Sequence, residues 1–147
     1  MIQRKQTLFF ILAFIVVTLT FVWPFATSTE SPHPYFSDDE AYTLTDHMAL
    51  VVAVCLSLFV LIVSIFSYKN RSMQISIAWV GLLLCLFIPA LAWIFFYSEQ
   101  PSPDIAADLN LHISPFLYVP AIILIYLGIR GVKSDIRLLK SSSSRLR

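Results

Sequence analysis

Long uncharged apolar runs alternate with short polar segments along the whole chain. Residues 48–68 and 75–97 form two such runs, separated only by Lys69-Asn70-Arg71-Ser72-Met73-Gln74. About 20 residues at ~1.5 Å rise cover the ~30 Å of a bilayer core, so each run predicts a spanning helix. The six residues between them allow only a tight return, which makes the pair a transmembrane hairpin. Residues 8–25 and 109–129 repeat the pattern on either side. The expected architecture is an all-α membrane protein, a four-helix transmembrane bundle forming one integral domain over residues 1–147. Its spans are expected at about 7–25, 48–68, 75–97 and 109–129, joined by outer loops 26–47 and 98–108.

Within the runs, small residues recur at helical spacing. Ala49, Ala53 and Ser57 form one stripe, Ala78, Gly81, Cys85, Pro89 and Ala92 a second, and Ser114, Ala121 and Gly128 a third. In lipid, helices pack closely where small residues meet, so these stripes predict the inner seams. Pro89 and Pro120 each remove a helix hydrogen bond, which argues for turning those faces inward as well. Pro24, Pro32 and Pro34 argue against helix in the larger outer loop, and Asp46 after Thr45 predicts an N-cap for the second span. Ser102-Pro103-Asp104 predicts either a short interfacial helix over 103–114 or the outer end of the last span, kinked at Pro115. Beyond residue 129, Ile129, Val132, Ile136 and Leu139 recur beside Arg130, Lys133, Arg137 and Lys140. This is the pattern of a basic amphipathic tail over 130–147, at the inner surface or continuing through it, broken at residues 141–144.

Composition sharpens the membrane reading. Apolar residues make up 58% of the chain and charged residues only 13%, against about a quarter charged in soluble domains. All ten Lys and Arg lie at residues 4–5, 69–71 and 130–147, while every acid except Asp135 lies in the two outer loops or at their edges. Short segments rich in Lys and Arg stay cytoplasmic, so both termini and the 69–74 turn are expected inside, which requires an even number of crossings. A signal peptide is the competing reading of residues 1–25, but the 18-residue apolar run exceeds the usual ~7–15, which favours a retained helix. Net charge of +1 gives no field to recruit nucleic acid. Cys55 and Cys85 fall at different depths in their runs, so no disulfide between them is expected.

The chain offers no catalytic constellation and no cofactor motif. The four runs contain no Asp, Glu, Lys or Arg, and their one histidine, His112, lies at the outer end of the last, which argues against an ion or proton pathway. Thr18, Thr20, Ser57 and Ser64 suit helix packing. His33, His47 and His112 share the outer side but have no ligand spacing on one element, so a metal site is not expected. Three glycines, none in a phosphate-loop pattern, exclude that motif. The remaining feature is the inner face. The expected topology gathers Arg4, Lys5, Lys69, Arg71, Arg130, Lys133, Arg137 and Lys140 into one basic platform, with Ile136 and Leu139 facing membrane or partner. Asn70 and Gln74 are expected to hydrogen-bond across to Gln3 or Gln6. Such a platform suits the bilayer's anionic headgroups, or an acidic surface of another protein.

Three stretches carry a resemblance: Met1-Ile2-Gln3-Arg4 with Gln6-Thr7; Tyr68-Lys69-Asn70-Arg71 with Gln74-Ile75; and Leu127-Gly128-Ile129-Arg130-Gly131-Val132-Lys133 with the terminal Arg145-Leu146-Arg147. Together they resemble the domain of unknown function 4293 family, small four-helix membrane proteins of Bacteroidetes. The resemblance runs from end to end and implies a multi-pass protein of a bacterial inner membrane. It supplies no activity. The expected function is therefore a non-enzymatic assembly, scaffold or accessory subunit, associating with itself or with other membrane proteins. A small transporter or channel subunit is the alternative, kept open by the prolines within the spans.

Overall fold

The structure is a computed structural model that describes residues 3–28, 41–98 and 109–144. In chain order its elements are α1 (Gln3–Leu19), β1 (Ala26–Ser28), β2 (Ala41–Tyr42), α2 (Met48–Phe66), α3 (Arg71–Ser98), β3 (Leu109–Leu111) and α4 (Tyr118–Ser144). Short 3-10 turns at Leu44–Asp46, Ser67–Lys69 and Ser114–Leu117 lead into or out of the helices. α1 packs against α2 and α4, and α3 packs against the same two, so the helices form a ring with alternating directions.

Each helix buries one stripe. On α2 it is Leu50, Val54, Ser57, Leu61 and Ser64, at steps of three and four; on α1 it is Phe10, Ala13 and Val17. The other faces stay apolar: Phe59, Leu86, Phe87, Ile94 and Ile123 are all exposed. A bundle in water would place polar residues there, so these faces suit a hydrocarbon solvent. Met48–Lys69, Arg71–Phe96 and Ser114–Ser141 are long and apolar enough to cross a membrane, whereas the apolar part of α1, Gln6–Leu19, is shorter.

The expected seams hold on α3, where Ala78, Gly81, Cys85 and Ala92 are buried and Pro89 is half-buried, and on the last span, where Ser114 of the 3-10 turn and Ala121 and Gly128 of α4 are buried. On α2 the stripe is rotated: Ala49 is exposed and only Ser57 of the expected set is buried. The larger Leu50, Val54 and Leu61 fill that seam instead. Pro120 is also exposed rather than inward. It sits in the first turn of α4, where a helix has no bond for its missing N–H to break.

One end of the ring carries structure that the periodicity did not predict. β1 is the centre of a three-stranded antiparallel sheet in the order β2-β1-β3, pairing Ala26 with Tyr42 and with Leu111. α1 therefore stops at Leu19, short of the expected residue 25. The chain turns at Thr20, whose N–H reaches the Val17 carbonyl at 3.2 Å. Phe25 then joins the sheet through its N–H to the Tyr42 carbonyl (2.7 Å) and its carbonyl to the His112 N–H (3.0 Å). Residues 109–111 are likewise strand, not helix, so the last helix begins later than expected; the rest of the interfacial segment, 103–108, lies outside the described residues, as do 29–40. Asp46 caps the 3-10 turn, accepting from the Thr43 N–H at 2.6 Å, and α2 is led by His47. At the opposite end α4 runs unbroken to Ser144, through the serines expected to end it.

Candidate functional site

The end opposite the sheet, here the basic end, holds most of the charged side chains of the described residues. Its geometry is set by what α4 turns inward. Ile129 and Val132 are fully buried and Ile136 packs against the core from a half-buried position. Of the pair expected to face membrane or partner, Ile136 is thus part of the bundle's own wall and Leu139 is exposed. Asp135 lies on the same inward face, 7% exposed, and accepts a hydrogen bond from Nε2 of Gln6 on α1. Close approach of the two helices makes that bond possible. A Cβ on Gly131 would stand 2.8 Å from Gln6 Cγ, and one on Gly128 would stand 2.8 Å from two ring carbons of Phe10. A side chain at either position would force Gln6 or Phe10 to shift.

The same helix turns its cations outward. Arg130, Lys133 and Arg137 are exposed and line one cleft of about 310 Å³ with Tyr126, Ile129 and Ser134. Lys133 Nζ stands 5.6 Å from the ring centroid of Trp79 on α3, within cation–π range. Two carboxylates occur among the described residues. Asp46 is held in the turn at the sheet end and Asp135 faces Gln6, so neither neutralises the cleft.

The α2–α3 turn forms the neighbouring part of this end. Asn70 caps α3, its Oδ1 accepting from the Met73 N–H at 3.3 Å, and Gln74 Nε2 donates to the Ser64 carbonyl at 3.0 Å. Gln6 bonds to Asp135 instead of to this turn, and the side chain of Gln3, the other expected partner, lies outside the described set. Lys69 is exposed; Arg71 is half-buried, with Nη1 enclosed and without a hydrogen-bond partner among the described residues. Lys140 is exposed one turn beyond Arg137. Arg4 and Lys5 fall on the first turn of α1, with side chains outside the described set.

At the sheet end the polar groups hold the structure together. Thr27 Oγ1 and His112 Nε2 lie 3.1 Å apart, Tyr42 donates to the Ala92 carbonyl at 3.3 Å, and His47 stacks on Phe95 at 4.8 Å. Tyr118 donates to Thr20 Oγ1 at 3.4 Å, tying α4 to the end of α1. An apolar recess of about 290 Å³ lies beneath the sheet, walled by Phe25, Tyr42, Pro89, Trp93 and Phe116. Among the described residues no three His, Cys, Asp or Glu side chains group closely enough to hold a metal ion; His33 lies outside them.

The sequence reading named Gln6 and Asp135 without pairing them, and it did not place Trp79 beside Lys133. The available signal was spacing: Gly128, Gly131 and Asp135 lie three and four residues apart, which puts a small-residue groove and the one acid of the tail on a single helix face. A family model described as a domain of unknown function (DUF4293) matches residues 2–146. No curated protein and no solved structure matches the chain.

Proposed function

Since the chain belongs to the DUF4293 family, whose description assigns no activity, we propose a role from the geometry: a non-enzymatic, multi-pass subunit of a bacterial inner membrane that assembles with other membrane components through a basic cytoplasmic face. In this reading α1 is the fourth crossing, both termini are cytoplasmic, and the sheet lies on the outer side. The observation that carries it is the opposed use of α4's two faces. One is closed against α1 by Gly128, Gly131 and Asp135, while the other offers Arg130, Lys133 and Arg137 with no carboxylate opposite them among the described residues. Cations kept out of internal pairs are available to anionic headgroups or to an acidic protein surface. Such attraction weakens as salt rises.

Topology is tested in a chain with Cys55 and Cys85 replaced, carrying Ser37→Cys or Ser142→Cys. Membrane-impermeant maleimide on intact cells should label residue 37 and spare 142; the reverse pattern refutes the orientation. Assembly is tested by gentle purification with mass spectrometry of what accompanies the protein. A stoichiometric membrane partner or a defined self-assembly is expected. Solute flux through liposomes containing this protein alone would overturn the reading in favour of transport.

A further inference from the structure

We propose that the cleft on α4 is a discrete binding site for the phosphate of one anionic phospholipid of the inner leaflet. This inference rests on the reading above for its side of the membrane. Lys133 and Ser134 lie three and four residues after Arg130, and Arg137 lies four and three after them, which places the four along one helix face. They line a single cleft, and the carboxylate nearest in sequence, Asp135, is buried on the opposite face against Gln6. The cleft therefore concentrates three positive charges without a counterion among the described residues, together with a hydroxyl able to donate. Two guanidinium groups suit the oxygens of a phosphodiester, which they can grip in a bidentate fashion.

The surroundings select a lipid over a soluble anion. One turn towards the sheet end, the cationic face gives way to exposed Tyr126, then Ile123 and Val119, a continuous apolar track on the same helix. Trp79 stands beside Lys133 on α3. Trp and Tyr settle at headgroup level, so this boundary is where a phosphate meets its acyl chains. A phosphate in the cleft would have its hydrocarbon lying along Tyr126 and Ile123. A zwitterionic lipid with an amine headgroup would bring a further cation to the cluster, so selectivity for net negative headgroups follows.

The test uses the full chain in nanodiscs with Trp79 as the only tryptophan, through Trp23→Phe and Trp93→Phe. Its fluorescence is quenched with bromine-labelled phosphatidylglycerol or bromine-labelled phosphatidylethanolamine. Half-maximal quenching should need several-fold less of the glycerol lipid. The preference should fall to near parity in Arg130→Gln/Arg137→Gln and survive in Arg130→Lys/Arg137→Lys. Equal quenching by both lipids in the unaltered chain overturns the site, as does an undiminished preference in the Gln pair. Abolition of the preference by millimolar inorganic phosphate would assign the cleft to a soluble anion and overturn it too. Maleimide labelling at residue 142 reports orientation separately: a lipid preference with outward labelling there overturns the broader reading and the assignment to the inner leaflet, and leaves the phosphate site itself standing.

Discussion

Gly128→Ala sets two effects of known sign against each other. Alanine in place of a helical glycine gains ~1 kcal/mol of intrinsic helix stability. Here the new methyl would stand 2.8 Å from two carbons of the Phe10 ring and 3.2 Å from a third, where ordinary contact begins at 3.4 Å. The ring must retreat by about 0.6 Å, yet Phe10 is fully buried on the α1–α4 seam. Forcing a methyl into a filled core costs ~1–3 kcal/mol, so the net effect runs from near zero to about 2 kcal/mol of destabilisation. Gly81→Ala is the internal control, because its methyl would meet Val60 at 3.4 Å and Leu61 at 3.5 Å, both ordinary contacts. The assay is reversible unfolding in mixed micelles, read by near-ultraviolet circular dichroism. Gly81→Ala should stabilise the protein by up to ~1 kcal/mol, and Gly128→Ala should not. In a Phe10→Leu background Gly128→Ala should recover most of the helix gain, giving a coupling of ~1–3 kcal/mol between the positions. If Gly128→Ala stabilises both backgrounds equally, the seam is looser than described and the argument for glycine there fails.

Asp135→Leu strands the buried Gln6 amide and should cost ~1–3 kcal/mol in the same unfolding assay. Adding Gln6→Leu should return part of that loss; simple additivity of the two changes would show that the bond is unimportant. Tyr42→Phe removes the hydroxyl that donates to the Ala92 carbonyl and should cost ~0.5–1.5 kcal/mol. The loss should appear as faster amide exchange in the sheet and the last turns of α3; unchanged exchange there would refute a bracing role.

How far the chain could be read depended on the range of the interactions involved. The α2–α3 hairpin was plain because each helix spends some 20 residues on a single physical requirement, and Lys69 and Arg71 mark the turn. The sheet was hidden because two- and three-residue strands carry no usable period, and β1 finds its partners at Tyr42 and Leu111, far along the chain. The same limit applied to the tail. Ile129, Val132 and Ile136 spell an amphipathic helix whether the apolar face meets lipid or α1. Only the close approach at Gly128 and Gly131 distinguishes the two. The cations of the tail were legible as charges, and their separation from Asp135 was not, since that depends on which way α4 is rotated.

The ring is closed by its first and last helices, and this has a consequence for biogenesis. Gln6 waits 129 residues for Asp135, Phe10 waits for Gly128, Thr20 for Tyr118 and Ser114, and β1 for β3. The α2–α3 hairpin has most of its contacts as soon as it leaves the ribosome, whereas α1, the shortest of the apolar helices, has its main packing surface supplied last. A chain cut before α4 would leave the Gln6 amide and the Thr20 hydroxyl without Asp135 and Tyr118. Such exposed polar groups in lipid are costly, so an unfinished chain would carry its own mark for proteolysis.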